Sequence, residues 1–368
     1  MNEELGLKLL ANLLEWRDEA RVEYQWLKFM ARYKYDGYQD FVAGKRFLAS
    51  LISWLRQFPT VAERRAAYCF MRERLVYLGP AEVNHLVRRT YHETIRPRLG
   101  RAVAARLDVP EYLIWSHPDA HETYNRLLRA SLFFGLSDGA RIDVFRRANT
   151  GIISNEQVLV APQIHESKWK SVLKSLRKER GADAQFEFVF LLDDFTASGA
   201  TLVRYDADDT EWTGKLVRFW EDVQPYLTTH FTANWTLGVH HYVASHDART
   251  NIHQREALIR SEKPAAQWFG APVEFTFGTV LPASLKLDPS RDSEFLALVD
   301  SYYDPAIETR HTDVGGDSVA RGFGACALPL VLEHNTPNNS VALLWAESVG
   351  ADGRHAMRPL FRRRQRHV

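Results

Sequence analysis

The chain has 368 residues, of which 45% are hydrophobic and 25% charged, and its formal net charge at pH 7 is +1. This is the composition of an ordinary globular protein, not of a disordered or collagenous one, and the near-zero balance excludes wholesale electrostatic attraction to nucleic acid or anionic membrane. At this length two or three domain-sized units fit.

Cys69 and Cys326 lie far apart and have no CxxC or Cys/His spacing around them, which argues against a zinc site and for a reduced, cytoplasmic setting. The opening MNEELGLKLLANLLEWRDEA is too acidic and amphipathic for a signal peptide, and no run of about 18 apolar residues is present to span a bilayer. A soluble protein without a membrane partner is expected.

From residue 1 to 128, apolar residues recur at helical spacing, as in Leu10, Leu13, Leu14 and later Phe47, Leu51, Trp54 and Leu55, so an all-helical region is predicted. Its breaks fall at Phe58-Pro59-Thr60, Gly79-Pro80 and Val109-Pro110, where proline stops one helix or opens the next. The region is rich in tyrosine and arginine (Tyr33, Tyr35, Tyr38, Arg64, Arg65, Arg72, Arg74). Solvated helix faces account for that composition, and a cradle for nucleic acid is the alternative.

Beyond residue 128 short β-like runs alternate with helical stretches: Ser131 to Leu136, Gln157 to Ala161, Phe186 to Leu192, Thr232 to Val243 and Val273 to Val280. That alternation predicts an α/β unit over residues 129–348, with a mostly parallel sheet carrying helices on both faces. Between the second and third strands lies IHESKWKSVLKSLRKERGADAQ. Trp169, Val172, Leu173 and Leu176 stand there at helical spacing, so at least part of it should be a crossover helix. Later come Gly315-Gly316, the turn-rich NTPNNS, and a basic tail over 349–368 ending in RRRQRH, read as a solvated terminus with nucleic-acid contact as the alternative.

The chemistry is concentrated in FEFVFLLDDFTASGATLVR, Phe186 to Arg204: a hydrophobic strand, two acids, then a small-residue loop expected to open a helix. In an open parallel sheet, ligands bind beyond the carboxyl ends of the strands. The loop Thr196, Ala197, Ser198, Gly199, Ala200, Thr201 offers N–H groups, hydroxyls and a helix dipole to a phosphate. Gly199 allows a tight turn and lets a phosphate approach where a side chain would stand. Asp193 and Asp194 would then reach the attached sugar, accepting charge-assisted hydrogen bonds from a ribose diol. The plainer reading is that the two acids end a strand and cap a helix.

LLDDFTASGAT resembles the phosphoribosyl pyrophosphate motif of type I phosphoribosyltransferases. Asp193 and Asp194 match the acidic pair, Ser198 and Gly199 the hydroxyl-glycine step, and Thr201 the last hydroxyl. The resemblance implies a type I phosphoribosyltransferase-like α/β fold, with a tight pyrophosphate-binding loop after the first core strand. SLFFGLSDGARID looks like that element, placing Ser137, Gly139, Ala140 and Arg141 on it; an ordinary Ser-Asp-Gly turn is the alternative. It also implies a mobile loop between the second and third core strands, for which His165 to Arg180 has the right place, with Lys168, Lys170 and Lys174 as candidates. Its helical periodicity departs from such a loop.

With KYDGYQDFVAGKRFLASLISWLRQF and HNTPNNSVALLW added, the whole chain resembles the large phosphoribosyltransferase-like proteins of bacterial conflict and antiphage systems, including some encoded beside reverse transcriptases. In HNTPNNS, His334, Asn335, Asn338 and Asn339 could meet a base or the groups on the ribose; asparagine and proline are equally what a plain turn requires.

The implied catalytic set is Asp193, Asp194, Arg141 and Lys168, acting on phosphoribosyl pyrophosphate or a related nucleotide. Mg2+ would be held through the substrate's phosphates and not by a dedicated protein cage. His240, His241 and His246 lack metal-site spacing, and neither a GxSxG elbow nor a GxxxxGK[ST] loop is present. Phosphoribosyl transfer is one expectation. A nucleotide sensor signalling through the helical region, or an effector held by a nucleic-acid or protein partner, are the others, with homo-oligomers left open.

Overall fold

The computed structural model describes residues 3–161, 163–206, 210–263, 268–270, 273–309, 318–350 and 355–363. Gly315-Gly316 and Arg364 to His367 of the basic run lie outside the described residues. The chain forms two compact units, one of residues 1–82 with 282–368 and one of residues 83–281.

In the first unit the helices α1 (Glu3–Leu14), α2 (Ala20–Tyr33), α3 (Phe47–Leu55) and α4 (Val61–Glu73) are followed by the short strand β1 (Val76–Leu78). Proline and capping chemistry set the breaks. Thr60, next to Pro59, caps α4 in a reciprocal box, its hydroxyl accepting from the Glu63 N–H while the Glu63 carboxylate accepts from the Thr60 N–H, an arrangement that satisfies two donors the helix itself cannot. β1 pairs in parallel with β9 (Leu330–Leu332), Val76 opposite Leu330. The late segment is thereby drawn into the core of the N-terminal helices: Trp54 Nε1 donates to the Leu343 carbonyl at 2.7 Å, and Met357, Leu360 and Phe361 are fully buried there.

The second unit holds α5 (Pro80–Thr90, continuing past Glu82), α6 (Arg96–Leu107) and α7 (Ala120–Arg129), and then the sheet: β2 (Ser131–Gly135), α8 (Ile142–Ala148), β3 (Val158–Leu159), α9 (Glu166–Arg180), β4 (Phe186–Thr196), the hairpin β5 (Arg204–Asp206) and β6 (Glu211–Thr213), α10 (Lys215–Val223), α11 (Leu227–His230), β7 (Phe231–Ser245), α12 (His246–Glu262) and β8 (Glu274–Leu281). The order is β3-β2-β4-β7-β8 with every neighbouring pair parallel. All five strands expected from sequence are present. Fully parallel strands are covered on both faces, which is why they read as continuous hydrophobic runs.

Alternation along the strands divides the core. Leu132, Phe134, Val189 and Leu191 pack on one face with Trp169 of α9, Phe219 of α10 and Ile252 of α12. On the other face Phe133 stacks on Phe190 at 5.4 Å, and the buried Arg98 guanidinium lies over Phe188 and Phe190 while donating to the Leu237 carbonyl. Gly238 makes room for it: a Cβ there would stand 2.0 Å from Arg98 Nη1.

The units depart from the linear partition at 128/129 and 348/349. Residues 83–128 pack with the sheet, and 282–348 pack with the N-terminal helices, because pairing between β1 and β9 leaves no local signal at either boundary. The tail is likewise not wholly a solvated end, since Met357, Leu360 and Phe361 are buried in that core.

Candidate functional site

In chain order the core strands β2, β3, β4, β7 and β8 are arranged 2-1-3-4-5, so the connections from β2 and from β4 leave the sheet in opposite directions. The crevice beyond the carboxyl ends of β2 and β4 is thus the topological switch point, where this class of sheet binds ligands. Two segments meet there. One is the turn after β2, Ser137 to Arg141; the other is the end of β4 with its following loop, Asp193 to Thr201. Ser137 Oγ donates to Asp193 Oδ1 at 2.5 Å and lies 3.3 Å from Asp194 Oδ1. Arg141 falls within the electrostatic reach of Asp194.

The two acids have different surroundings because consecutive strand residues face opposite ways. Asp193 points to the α10 side and is 1% exposed. Its second oxygen meets Lys215 Nζ at 2.5 Å, and His241 Nε2 stands 3.9 Å away. Burial raises its carboxyl to about 6, with Lys215 pulling the other way. Burial also lowers His241 to about 3, so that ring is neutral and Lys215 supplies the countercharge. Asp194 is partly exposed on the other side, toward Arg141, whose guanidinium burial shifts downward.

The loop after the acids is shaped by its carbonyls. Ser245 Oγ donates to the Ala197 carbonyl at 2.5 Å, and Arg255 Nη1 and Asn251 Nδ2 donate to the Ser198 carbonyl at 2.9 and 3.2 Å. A trans peptide sets its N–H opposite its C=O. Fastening these two carbonyls to α12 and its cap therefore turns the Ser198 and Gly199 N–H groups to the opposite side. Among the described residues neither N–H, nor that of Thr201, has a protein acceptor, and the Thr196 hydroxyl is buried without a partner. A run of N–H donors with hydroxyls beside it is a concavity suited to an anion.

The turn after β2 is also held in place. Tyr242 OH donates to the Ala140 carbonyl at 2.7 Å, and Arg141, at the start of α8, adopts φ +46°, a left-handed conformation that costs an L-residue with a Cβ about 1–2 kcal/mol.

A family model for PRTase-CE matches residues 51–363. The chain belongs to the PRTase-CE family. It is a phosphoribosyltransferase-like protein, with the α/β fold that the resemblance implied. No curated protein and no solved structure matches it.

Several sequence expectations change within this PRTase-CE fold. The loop 196–201 does not open a helix. It runs through turns into β5, and the next helix, α10, starts at Lys215. The first N–H groups of α10 are taken by the loop itself, Lys215 N donating to the Thr201 carbonyl and Leu216 N to the Leu202 carbonyl, so the α10 terminus does not supply the expected helix N–H groups to a phosphate. Gly199 does sit at φ +74°, but a Cβ there would lie 2.8 Å from Ile252 Cγ1 and 3.3 Å from Arg255 Nη1, against α12 and not on the ligand side.

Lys168 lies on α9, which is a regular amphipathic helix with Trp169, Val172, Leu173 and Leu176 buried; it lowers the Glu156 carboxyl, and among the described residues no hydrogen bond or ion pair joins it to Asp193 or Asp194. Asn335, Asn338 and Asn339 belong to the other compact unit. Asn339 Nδ2 donates to the Phe323 carbonyl at 3.0 Å, the Asn338 carbonyl accepts from Phe323 N, and Asn335 exchanges hydrogen bonds with Leu332, so HNTPNNS serves as a turn. Ser137, Ala140, Arg141, Asp193, Asp194 and Thr196 to Thr201 are the residues gathered at the switch point, with Gly139 on the same turn.

Sequence reading missed Lys215, Tyr242, Asn251 and Arg255. Lys215 had one signal, a cation directly after Gly214 at the head of an amphipathic helix, KLVRFWEDV; the others had none that distinguishes them from surface or core residues.

Proposed function

We propose that this chain binds phosphoribosyl pyrophosphate or a related ribose 5-phosphate nucleotide at the switch point and transfers the phosphoribosyl group to an acceptor. The observation that carries the reading is the meeting of two loops there: one turns N–H groups outward beside the buried Thr196 hydroxyl, and the other brings Arg141 up to a partly exposed carboxylate. The 5′-phosphate rests on the N–H groups of Ser198, Gly199 and Thr201. Asp194 accepts from the ribose hydroxyls, and Arg141 meets the diphosphate, offsetting the negative charge that builds on it as it departs. In the transfer the acceptor forms a bond to C1 of the ribose as the C1–O bond breaks, and pyrophosphate departs with that electron pair.

Mg2+ enters this scheme on the diphosphate, where it would offset charge. Both Asp193 oxygens are engaged by Ser137 and Lys215, and among the described residues no three or more His, Cys, Asp or Glu side chains gather as a metal site; Asp194 would be the side chain to reach such an ion.

The likeness to proteins of antiphage systems supports a cellular role as a defence effector, checked by phage plating on cells with and without an Asp194→Asn copy of the whole system. For the chemistry the test is incubation with labelled phosphoribosyl pyrophosphate and Mg2+, with and without cell nucleotides and RNA. Saturable binding with acceptor-dependent release of pyrophosphate supports transfer. Saturable binding without release leaves a sensor, and no binding removes the reading.

A further inference from the structure

Two adjacent acids at the end of β4 invite the assumption that they act alike. Their contacts divide them. Asp193 is 1% exposed, and its carboxylate is shared between Ser137 Oγ on the turn after β2 and Lys215 Nζ at the head of α10, each at 2.5 Å. The Lys215 backbone N–H is fixed to the Thr201 carbonyl at 3.0 Å, so one residue ties the acid to the far end of the phosphate loop. Gly214 permits this approach, since a Cβ there would stand 2.4 Å from the Leu202 carbonyl oxygen and its φ is +126°.

We propose that Lys215 is a positioning residue: by pairing with Asp193 it withdraws the first acid from ligand contact, braces the β2 turn and the phosphate loop against one another, and leaves Asp194 as the carboxylate that meets the ribose. This rests on the ribose-phosphate reading of the site. The groups facing Asp193 are Lys215 from α10, neutral His241 and the Tyr242 hydroxyl from β7, Ser137 from the β2 turn and Asp194 on its own strand. Lys215 is the one cation among them, and removing it alone leaves a buried carboxylate without countercharge, which disturbs the contacts of both loops. Neutralising both members of a buried pair is, by contrast, often harmless to the fold.

The test uses the full chain as wild type, Lys215→Met, Asp193→Asn, the double variant and Asp194→Asn, with ribose 5-phosphate as probe. Calorimetry from pH 5 to 8 reads affinity, and urea unfolding without ligand reads coupling. Lys215→Met is expected to weaken binding about tenfold or more, and Asp193→Asn in the same chain to restore at least half of that loss on a logarithmic scale; Asp194→Asn is expected to lose about tenfold or more with no such rescue, as befits loss of a charged acceptor. The Lys215–Asp193 pair should be coupled about tenfold or more in the unfolding equilibrium.

Equal losses for Asp193→Asn and Asp194→Asn would overturn the division of labour, and so would a Lys215→Met protein that binds as wild type at every pH. If the wild type takes up no ribose 5-phosphate, the ligand reading falls, and the Asp194 assignment with it. The unfolding cycle then decides the Lys215–Asp193 brace alone: coupling upholds it, and additivity removes it.

Discussion

Gly199→Ala tests the direction in which the phosphate loop faces. A side chain at φ +74° is strained by about 1–2 kcal/mol. Its Cβ would stand 2.8 Å from Ile252 Cγ1, on a fully buried residue of α12 that has no free space to move into, and overpacking of that kind costs about 1–3 kcal/mol. Together these give about 2–5 kcal/mol, which for a unit of this size lowers the melting temperature by roughly 5–15 °C. The loss should be seen by circular dichroism without any ligand, because the obstruction lies within the protein. Ile252→Ala removes the atom in the way, so the double variant should be less destabilised than the sum of the singles by about 1 kcal/mol. A Gly199→Ala protein that melts with the wild type and fails only in ligand binding would refute the reasoning, and would restore the expectation that position 199 faces the phosphate.

Asp193 gives a pH signature. Its folded carboxyl sits at about 6 against an ordinary 3.8, so its contribution is fully present below about pH 4 and is lost as pH rises through 6, when the unfolded chain holds its charge more cheaply; the loss amounts to about 3 kcal/mol. Urea unfolding between pH 4.5 and 7 should therefore show a flatter profile in Asp193→Asn than in wild type, and parallel profiles would contradict the burial argument. Gly238→Ala should displace the Arg98 guanidinium from Phe190 and the Leu237 carbonyl, costing about 1–3 kcal/mol by overpacking and the lost hydrogen bond; a melting temperature within 1–2 °C of wild type, roughly 0.5 kcal/mol, would count against it. Asn339→Ala removes a hydrogen bond to the Phe323 carbonyl and should cost about 1 kcal/mol while leaving ribose 5-phosphate affinity as it was; a loss of affinity would return HNTPNNS to the ligand site.

Much of the sheet unit was legible because its determinants are local. A strand buried on both faces is mostly apolar, so Phe186 to Leu192 announced itself, and the acids at the end of β4 fell where any open parallel sheet presents its ligands. The unit boundaries were hidden because they depend on pairing between Val76 and Leu330, residues related by no pattern in either segment. The same holds at the site. That Asp193 and Asp194 would diverge follows from strand alternation, but which of them would be buried depends on Lys215, which is brought up only after the β5–β6 hairpin has intervened. The helix expected after the phosphate loop was displaced by that hairpin, and its N–H groups by loop carbonyls. HNTPNNS shows the reverse case, in which a segment attractive for recognition is consumed by turn chemistry with Leu332 and Phe323.

The most direct measurement is a crystal structure of the protein soaked with ribose 5-phosphate. The account predicts the phosphate within hydrogen-bonding distance of the Ser198, Gly199 and Thr201 N–H groups, the ribose hydroxyls on Asp194, and Asp193 still paired with Lys215. A sugar held by Asp193 with Lys215 turned away, or a phosphate bound anywhere other than this loop, would contradict it.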